Sequence, residues 1–320
     1  MGMQAVNMHP PTPTISLVIP FLNEEAVLPR LFLRLAEELA RIPGYQWELV
    51  LVDDGSTDGS HQAIRRHRSA FPGTVRLVQL ARNFGHQPAV MAGLRACRGD
   101  ASIILDADLQ DPPSVFPAFL EKFREGFEVV YAVRQNRKES LWKRVAYGSF
   151  YRIFRRFADV EVPLDAGDFG LISRAVREQI IAMPERDVLV RGLRTWVGFR
   201  QTGVPYDRPE RDAGETKYTL AKLVRLAAAG FFGYSTLPLR LATWLGLLAA
   251  ASALVYGLYV VITKLGGQPP PPGWASLALL VVFFGGIQLI CIGIVGEYIG
   301  RIYQQVQGRP LYVVARETEL

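Results

Sequence analysis

The sequence predicts an α/β domain built on a parallel sheet, followed by an amphipathic interfacial helix and a two-helix transmembrane hairpin. Three observations carry this. Short apolar runs alternate with longer helical patterns over residues 15–111, as βαβ units require. After about residue 234 the composition changes abruptly into two stretches without any charge. Lysine and arginine gather at the outer ends of those stretches and nearly vanish between them, as they do when both outer ends face the cytoplasm.

The elements follow in order. Residues 1–14 are rich in proline and lack the basic and apolar regions of a signal peptide, so they read as a disordered lead-in. Strands are expected at 15–20, 47–52, 75–79 and 102–105, each a short apolar run that ends at polar residues. Helical patterns fall between them at 26–42, 60–69 and 87–97. Residues 129–133 are strand-like, and a dense basic segment follows: Arg134, Arg137, Lys138, Lys143 and Arg144. The catalytic-type domain is expected to end near residue 218. Residues 219–236 mix basic and apolar side chains at helical spacing, as an interfacial helix or an ordinary amphipathic core helix would.

Residues 241–263 and 265–296 carry no charge, broken only by GGQPPPPG. About 20 apolar residues cross a bilayer core, so spans are expected near 237–263 and 275–298, within a hairpin of 237–299. Lys217, Lys222, Arg225 and Arg240 precede the first span and Arg301, Arg309 and Arg316 follow the second, against Lys264 alone in the turn. Both termini, including a tail at 300–320, are therefore expected in the cytoplasm. Antiparallel spans would bring Arg240 and Glu297 to one membrane face, where a pair is expected.

Composition sets limits. The chain has 320 residues, enough for a core without metal or disulfide staples. At 49% hydrophobic residues it is no disordered or fibrous chain. Cys97 and Cys291 lie too far apart in sequence and setting to read as a disulfide framework or a cysteine zinc site. A net charge of +6 points to an anionic partner without choosing among nucleic acid, nucleotide diphosphate and lipid phosphate.

The chemistry is expected beyond the carboxyl ends of the strands. Pro20, Asn23 and Glu24 follow the first strand, Asp53 and Asp54 the second, and Asp106, Asp108, Gln110 and Asp111 the strand at 102–105. Such an acidic crevice would repel a nucleotide diphosphate without a divalent cation. Asp106 and Asp108, one residue apart, offer the oxygen ligands that Mg2+ or Mn2+ prefers. A lone D-x-D is weak, with a solvated strand-end turn as the alternative, but its position after IIL and the two other acidic strand ends favour a metal site. No Walker loop, G-x-G-x-x-G turn, H-E-x-x-H or G-x-S-x-G elbow occurs. His86 reads as a loop-surface histidine.

VIPFLNEE (18–25), VDDGSTDGS (52–60), ARNFGHQPAVMAG (81–93), LDADLQDPP (105–113), GDFGLISR (167–174), GETKY (214–218) and GEYIGRIY (296–303) stand in one order. Together they resemble family 2 glycosyltransferases of the polyprenyl-phosphate branch. The similarity is strongest to GtrB-type enzymes, with ArnC-type transferases and dolichol-phosphate mannose synthases as relatives. The resemblance implies a GT-A (Rossmann-like) fold, a nucleotide-sugar donor, a divalent metal and a polyprenyl phosphate acceptor at the bacterial inner membrane. It implies that Pro20 and Glu24 contact the donor nucleoside, Asp53 or Asp54 its base, and Asp106 and Asp108 the metal and diphosphate. It also makes Asp168 a catalytic acid near the sugar and puts Arg211 and Lys217 near phosphates. Thr216 stands where serine is commoner.

A lipid phosphate is already an anionic nucleophile, so positioning and charge stabilisation should outweigh base catalysis. For the acceptor phosphate, Arg134 and Arg137 are the expected partners by their closeness to the sheet edge. A polysaccharide synthase is disfavoured by the lack of Q-x-x-R-W, and a non-catalytic sensor by the full acidic set. No nucleic-acid partner is expected, since no aromatic-basic platform is present. UDP-glucose is the favoured donor, with galactose, N-acetylated sugars, mannose and aminoarabinose open. The relatives' tetramers make a homo-oligomer the expectation, with a strand-like run in GRPLYVVARE (308–317) available to pair between subunits.

Overall fold

The structure is a computed structural model that describes residues 12–135, 166–186, 188–207, 237–266 and 273–320. Two compact units divide the chain. The first contains the described residues of 12–207 together with 310–320; the second contains those of 237–309.

In the first unit, β1 (Thr14–Phe21), α1 (Leu28–Leu39), β2 (Gln46–Asp53), α2 (Ser60–His67), β3 (Thr74–Leu80), α3 (His86–Ala96) and β4 (Ala101–Ile104) follow the expected alternation. After them come α4 (Phe116–Arg124), β5 (Val129–Gln135), β6 (Ala166–Ser173), α5 (Arg174–Ala182), α6 (Val190–Trp196), β7 (Gln201–Asp207) and β8 (Val314–Glu319). One sheet takes all eight strands in the order β7-β5-β6-β4-β1-β2-β3-β8.

The strands are apolar on both faces because both faces are covered. Ile15, Leu17 and Ile19 of β1 pack with Leu31, Phe32, Leu35, Phe116 and Phe119 from α1 and α4. Val18, with Val50, Val52 and Val78, faces the opposite way, toward Val90 and Leu94 of α3 and Val176 and Ile180 of α5. The period of two in a strand produces this split. α3 lies so close to the sheet that a Cβ on Gly93 would overlap Val18 Cγ1 and stand 3.0 Å from Val52 Cγ2.

The parallel sheet holds for β4-β1-β2-β3 and for β5 with β7. It fails at two places, and the sheet is mixed. β6 runs antiparallel between β4 and β5. Its glycines interrupt the apolar pattern by which a strand is read, yet Gly170 is required there: a Cβ would lie 2.6 Å from Val130 O. β8 runs antiparallel along β3 of the same chain, where the sequence had offered it to a neighbouring subunit. It covers the edge of β3 and itself becomes a short, charged edge strand. The buried Arg76 guanidinium on β3 draws it in, lying 2.9 Å from Glu317 and 3.3 Å from Glu48.

In the second unit, α7 (Leu237–Leu265) and α8 (Trp274–Val306) are long and apolar enough to cross a membrane. Side chains such as Leu248, Leu254 and Val282 point outward uncovered, as a lipid-facing helix requires. Cys291 Sγ approaches Ala242 O at 3.9 Å, as in an antiparallel pair. α8 outlasts its expected end at residue 298 by eight residues, to Val306; the charge at Glu297 does not stop it, because Arg301 one turn on donates to that carboxylate at 3.1 Å. Glu297 thus has a partner on its own helix, while the Arg240 side chain and the expected interfacial helix at 219–236 lie outside the described residues.

Candidate active site

Strand order reverses between β1 and β4, which places a crevice beyond their carboxyl ends. Parallel register brings Pro20 level with Val52 and Phe21 level with Asp53, with Val18 beside Ile104. The three acidic strand ends therefore converge. The two loops beyond β1 and β2 are stitched together: Asn23 N donates to Ser56 Oγ at 2.9 Å, Thr57 N to Asn23 Oδ1 at 2.8 Å and Glu24 N to Ser60 Oγ at 3.0 Å. Asn23 adopts a left-handed φ of 56°, and so does Leu109 at 62° in the DADLQD turn. Non-glycine residues seldom do so outside tightly determined loops.

Asp53 and Asp54 are both buried and differ in their work. Asp53 accepts from Ser56 N at 2.8 Å and meets His61 Nε2 at 2.5 Å. Asp54 accepts from Phe84 N at 2.7 Å and Gly85 N at 2.9 Å, so its carboxylate fastens the β3–α3 loop.

Asp106 is half-buried at the end of β4. Burial first and the like charge of Asp111 second push its carboxyl up to about 6; Asp108 and Asp168 add to this, and His86 opposes it. Three other carboxylates thus bear on Asp106 across this crevice. His86 Nε2 lies 3.3 Å from Asp106 Oδ1; the residue is exposed, as expected, but it opens α3 instead of lying in a loop. Asp106 N donates to Asp111 Oδ2 at 3.2 Å and Gln110 N to Asp108 Oδ1 at 3.1 Å.

The donor set is all hard oxygen, which fits Mg2+ or Mn2+. No group of three potential ligands closes around one point among the described residues. That is compatible with Mg2+, which is typically held by one or two carboxylates with substrate phosphates completing the shell.

Asp168 on β6 reaches the same crevice. Its Oδ2 accepts from Gln87 Nε2 at 2.6 Å, while its Oδ1 is buried without a hydrogen-bond partner among the described residues. Behind it stands the buried Arg194, which donates to Gly167 O at 3.2 Å and lies over the Tyr131 ring at 5.3 Å. Arg134 is the last residue but one of β5, whose carboxyl end lies on the same rim of the sheet as that of β4, as expected. Its Nε donates to Tyr206 Oη at 3.2 Å, and Tyr206 donates to Asp111 Oδ1 at 3.3 Å. A relay therefore joins the first basic residue to the acidic cluster. Arg137, Arg211 and Lys217 lie outside the described residues.

The glycosyl transferase family 2 profile matches residues 16–181, from β1 through most of α5, and the GtrB C-terminal hairpin profile matches residues 237–302. The chain belongs to glycosyl transferase family 2. It is 42% identical over 302 residues to the uncharacterized glycosyltransferase YkcC of Bacillus subtilis (strain 168), covering 94% of this chain and 93% of that one. It is 39% identical to the prophage bactoprenol glucosyl transferase homolog of Escherichia coli (strain K12), over 94% and 98% of the two chains. To the bactoprenol glucosyl transferase of Shigella phage SfV it is 39% identical, over 95% and 99%.

The mixed sheet and the acidic switch point are accordingly those of a GT-A glycosyltransferase. Within this family 2 site the motifs marked Asp106, Asp108 and Asp168. They assigned no role to Gln87, which lies within the 81–93 motif, and did not mark Tyr206 or Arg194; Asp111 was legible only as one more strand-end acid. Gln87 carries a faint signal in retrospect, a polar residue in the first turn of a helix that follows a glycine.

Proposed function

We propose that this glycosyltransferase moves one glucose from UDP-glucose to a polyprenyl phosphate, most simply undecaprenyl phosphate, at the cytoplasmic face of the bacterial inner membrane. The observation that carries the reading is the match at about 40% identity, over nearly the whole chain and its hairpin, to proteins named bactoprenol glucosyl transferases. The basic flanks of α7 and α8 support cytoplasmic termini.

In this reading Pro20, Glu24 and Asp53 line the nucleoside side of the donor, and Asp54 holds the loop beside them. Asp106 and Asp108 hold a divalent cation, which when bound neutralises charge on the diphosphate. A phosphate oxygen of the lipid forms a bond to the anomeric carbon as the bond from that carbon to UDP breaks. UDP leaves with the electron pair, and the configuration inverts. The acceptor is already anionic, so no proton has to be removed. Asp168 orients the sugar through Oδ1, the oxygen unpaired among the described residues. Arg134, Arg137, Arg211 and Lys217 bring positive charge to the phosphates.

Purified protein incubated with undecaprenyl phosphate, Mg2+ and a panel of nucleotide sugars should yield a glucosyl lipid phosphate by mass. A product with another hexose would change the donor assignment alone. Nucleotide binding without any lipid product would leave a membrane-anchored sensor. Asp168→Asn should retain UDP binding and lose transfer.

A further inference from the structure

Gln87 sits at the second position of α3 and touches two elements far from it in sequence. Its Nε2 donates to Asp168 Oδ2 at 2.6 Å, and its Oε1 accepts from Val190 N at 2.7 Å. Val190 is the first residue of α6, whose N–H has no helical carbonyl to meet. A carboxylate only accepts and a backbone N–H only donates, so both partners are satisfied in one amide orientation alone. The side chain is therefore locked at both ends.

The lock has a consequence for Asp168. With Oδ2 held, the carboxylate presents a single remaining oxygen, Oδ1, which is buried and without a partner among the described residues. A buried acceptor left unpaired costs free energy, and a bound hydroxyl removes that cost. The buried Arg194, one turn beyond Val190 on α6, keeps positive charge close to the carboxylate.

We propose that Gln87 is a positioning residue for sugar transfer, holding Asp168 so that Oδ1 alone faces a hydroxyl of the donor sugar, with the start of α6 as its anchor. This rests on the reading of Asp168 as the acid beside the sugar. Gln87 touches no reacting atom in this scheme; it sets where Asp168 does.

Two variants separate positioning from stapling. Gln87→Glu keeps the acceptor for Val190 N and sets a second carboxylate against Asp168. Gln87→Leu removes both bonds. At pH 8, with saturating polyprenyl phosphate and varied UDP-glucose, both should lower kcat by about 100-fold, the loss that misplacing a reacting geometry by an ångström brings. UDP affinity by titration calorimetry should stay at the wild-type value, which also reports that the site is folded. If Gln87→Glu turns over like the wild type, Gln87 merely staples α6 and the proposal fails. It fails too if either variant loses UDP affinity in step with its rate. Should Gln87→Leu not fold, Gln87→Glu decides alone. Wild-type protein inert toward every nucleotide sugar would instead overturn the proposed reaction, and this inference with it, before any variant is made.

Discussion

Asp54 offers a test of what the acids beyond β2 do. Its two oxygens accept from Phe84 N and Gly85 N at 2.7 and 2.9 Å in a buried setting. Asp54→Asn keeps the shape but turns one acceptor into an amide NH2 that faces an N–H. One charge-assisted bond of about 1.5–3 kcal/mol is lost, partly offset by relaxation, and a buried N–H is left unpaired. A net loss of about 2–4 kcal/mol follows for the sheet-bearing unit. At about 2–4 °C per kcal/mol for a unit of this size, Tm should fall by roughly 5–15 °C. Thermal unfolding in detergent, followed by near-UV circular dichroism, measures this, and UDP titration well below Tm measures the site. The expected outcome is a lowered Tm with UDP affinity reduced only slightly. An unchanged Tm with a tenfold or greater loss of UDP affinity would refute the argument and make Asp54 a direct donor contact.

Asp106→Asn and Asp108→Asn should each reduce transfer at least 100-fold, as loss of several kcal/mol of charge stabilisation requires; a chelator should do the same to the wild type, reversed by Mg2+ or Mn2+ in a radiolabelled-sugar assay. Gly93→Ala should destabilise by about 1–3 kcal/mol in chemical unfolding, because overpacking against Val18 and Val52 outweighs the roughly 1 kcal/mol that alanine gains in a helix. Burial pushes the Cys97 thiol up to about 12 from its usual 9.0, so the folded protein keeps it neutral. Mass mapping should find it unalkylated until unfolding, and its stabilising effect is present below pH 9 and lost as pH rises toward 12.

The parts of this fold that were legible in the sequence are those whose signal is local. β1 to β4 and α1 to α3 each carry their own period, and all lie within about two residues of the expected bounds or inside them. The two apolar helices are legible for the same reason, since twenty uncharged residues in a row need no partner to be recognised. β6 was not, and β8 was only in part. β6 spends two of its eight positions on glycines, and a close neighbour, Val130 O, demands the one at Gly170. β8 overlaps the strand-like run at 308–317, but its partner is not local: Arg76 of β3 meets Glu317 from 241 residues away.

The site divides along the same line. Asp106, Asp108 and Asp168 are legible because each stands at a strand end or in a motif of the sequence. Gln87, Tyr206 and Asp111 do their work on other protein groups, and those groups are remote: Gln87 is 81 residues from Asp168 and 103 from Val190, and Tyr206 is 95 from Asp111. A residue that holds another has its meaning in the pairing, and a single chain read along its length contains no pairings. It follows that the strand-end acids can be named from motifs, whereas the bond that holds Oδ2 of Asp168 and leaves Oδ1 without a partner among the described residues becomes visible only when α3, β6 and α6 are brought together.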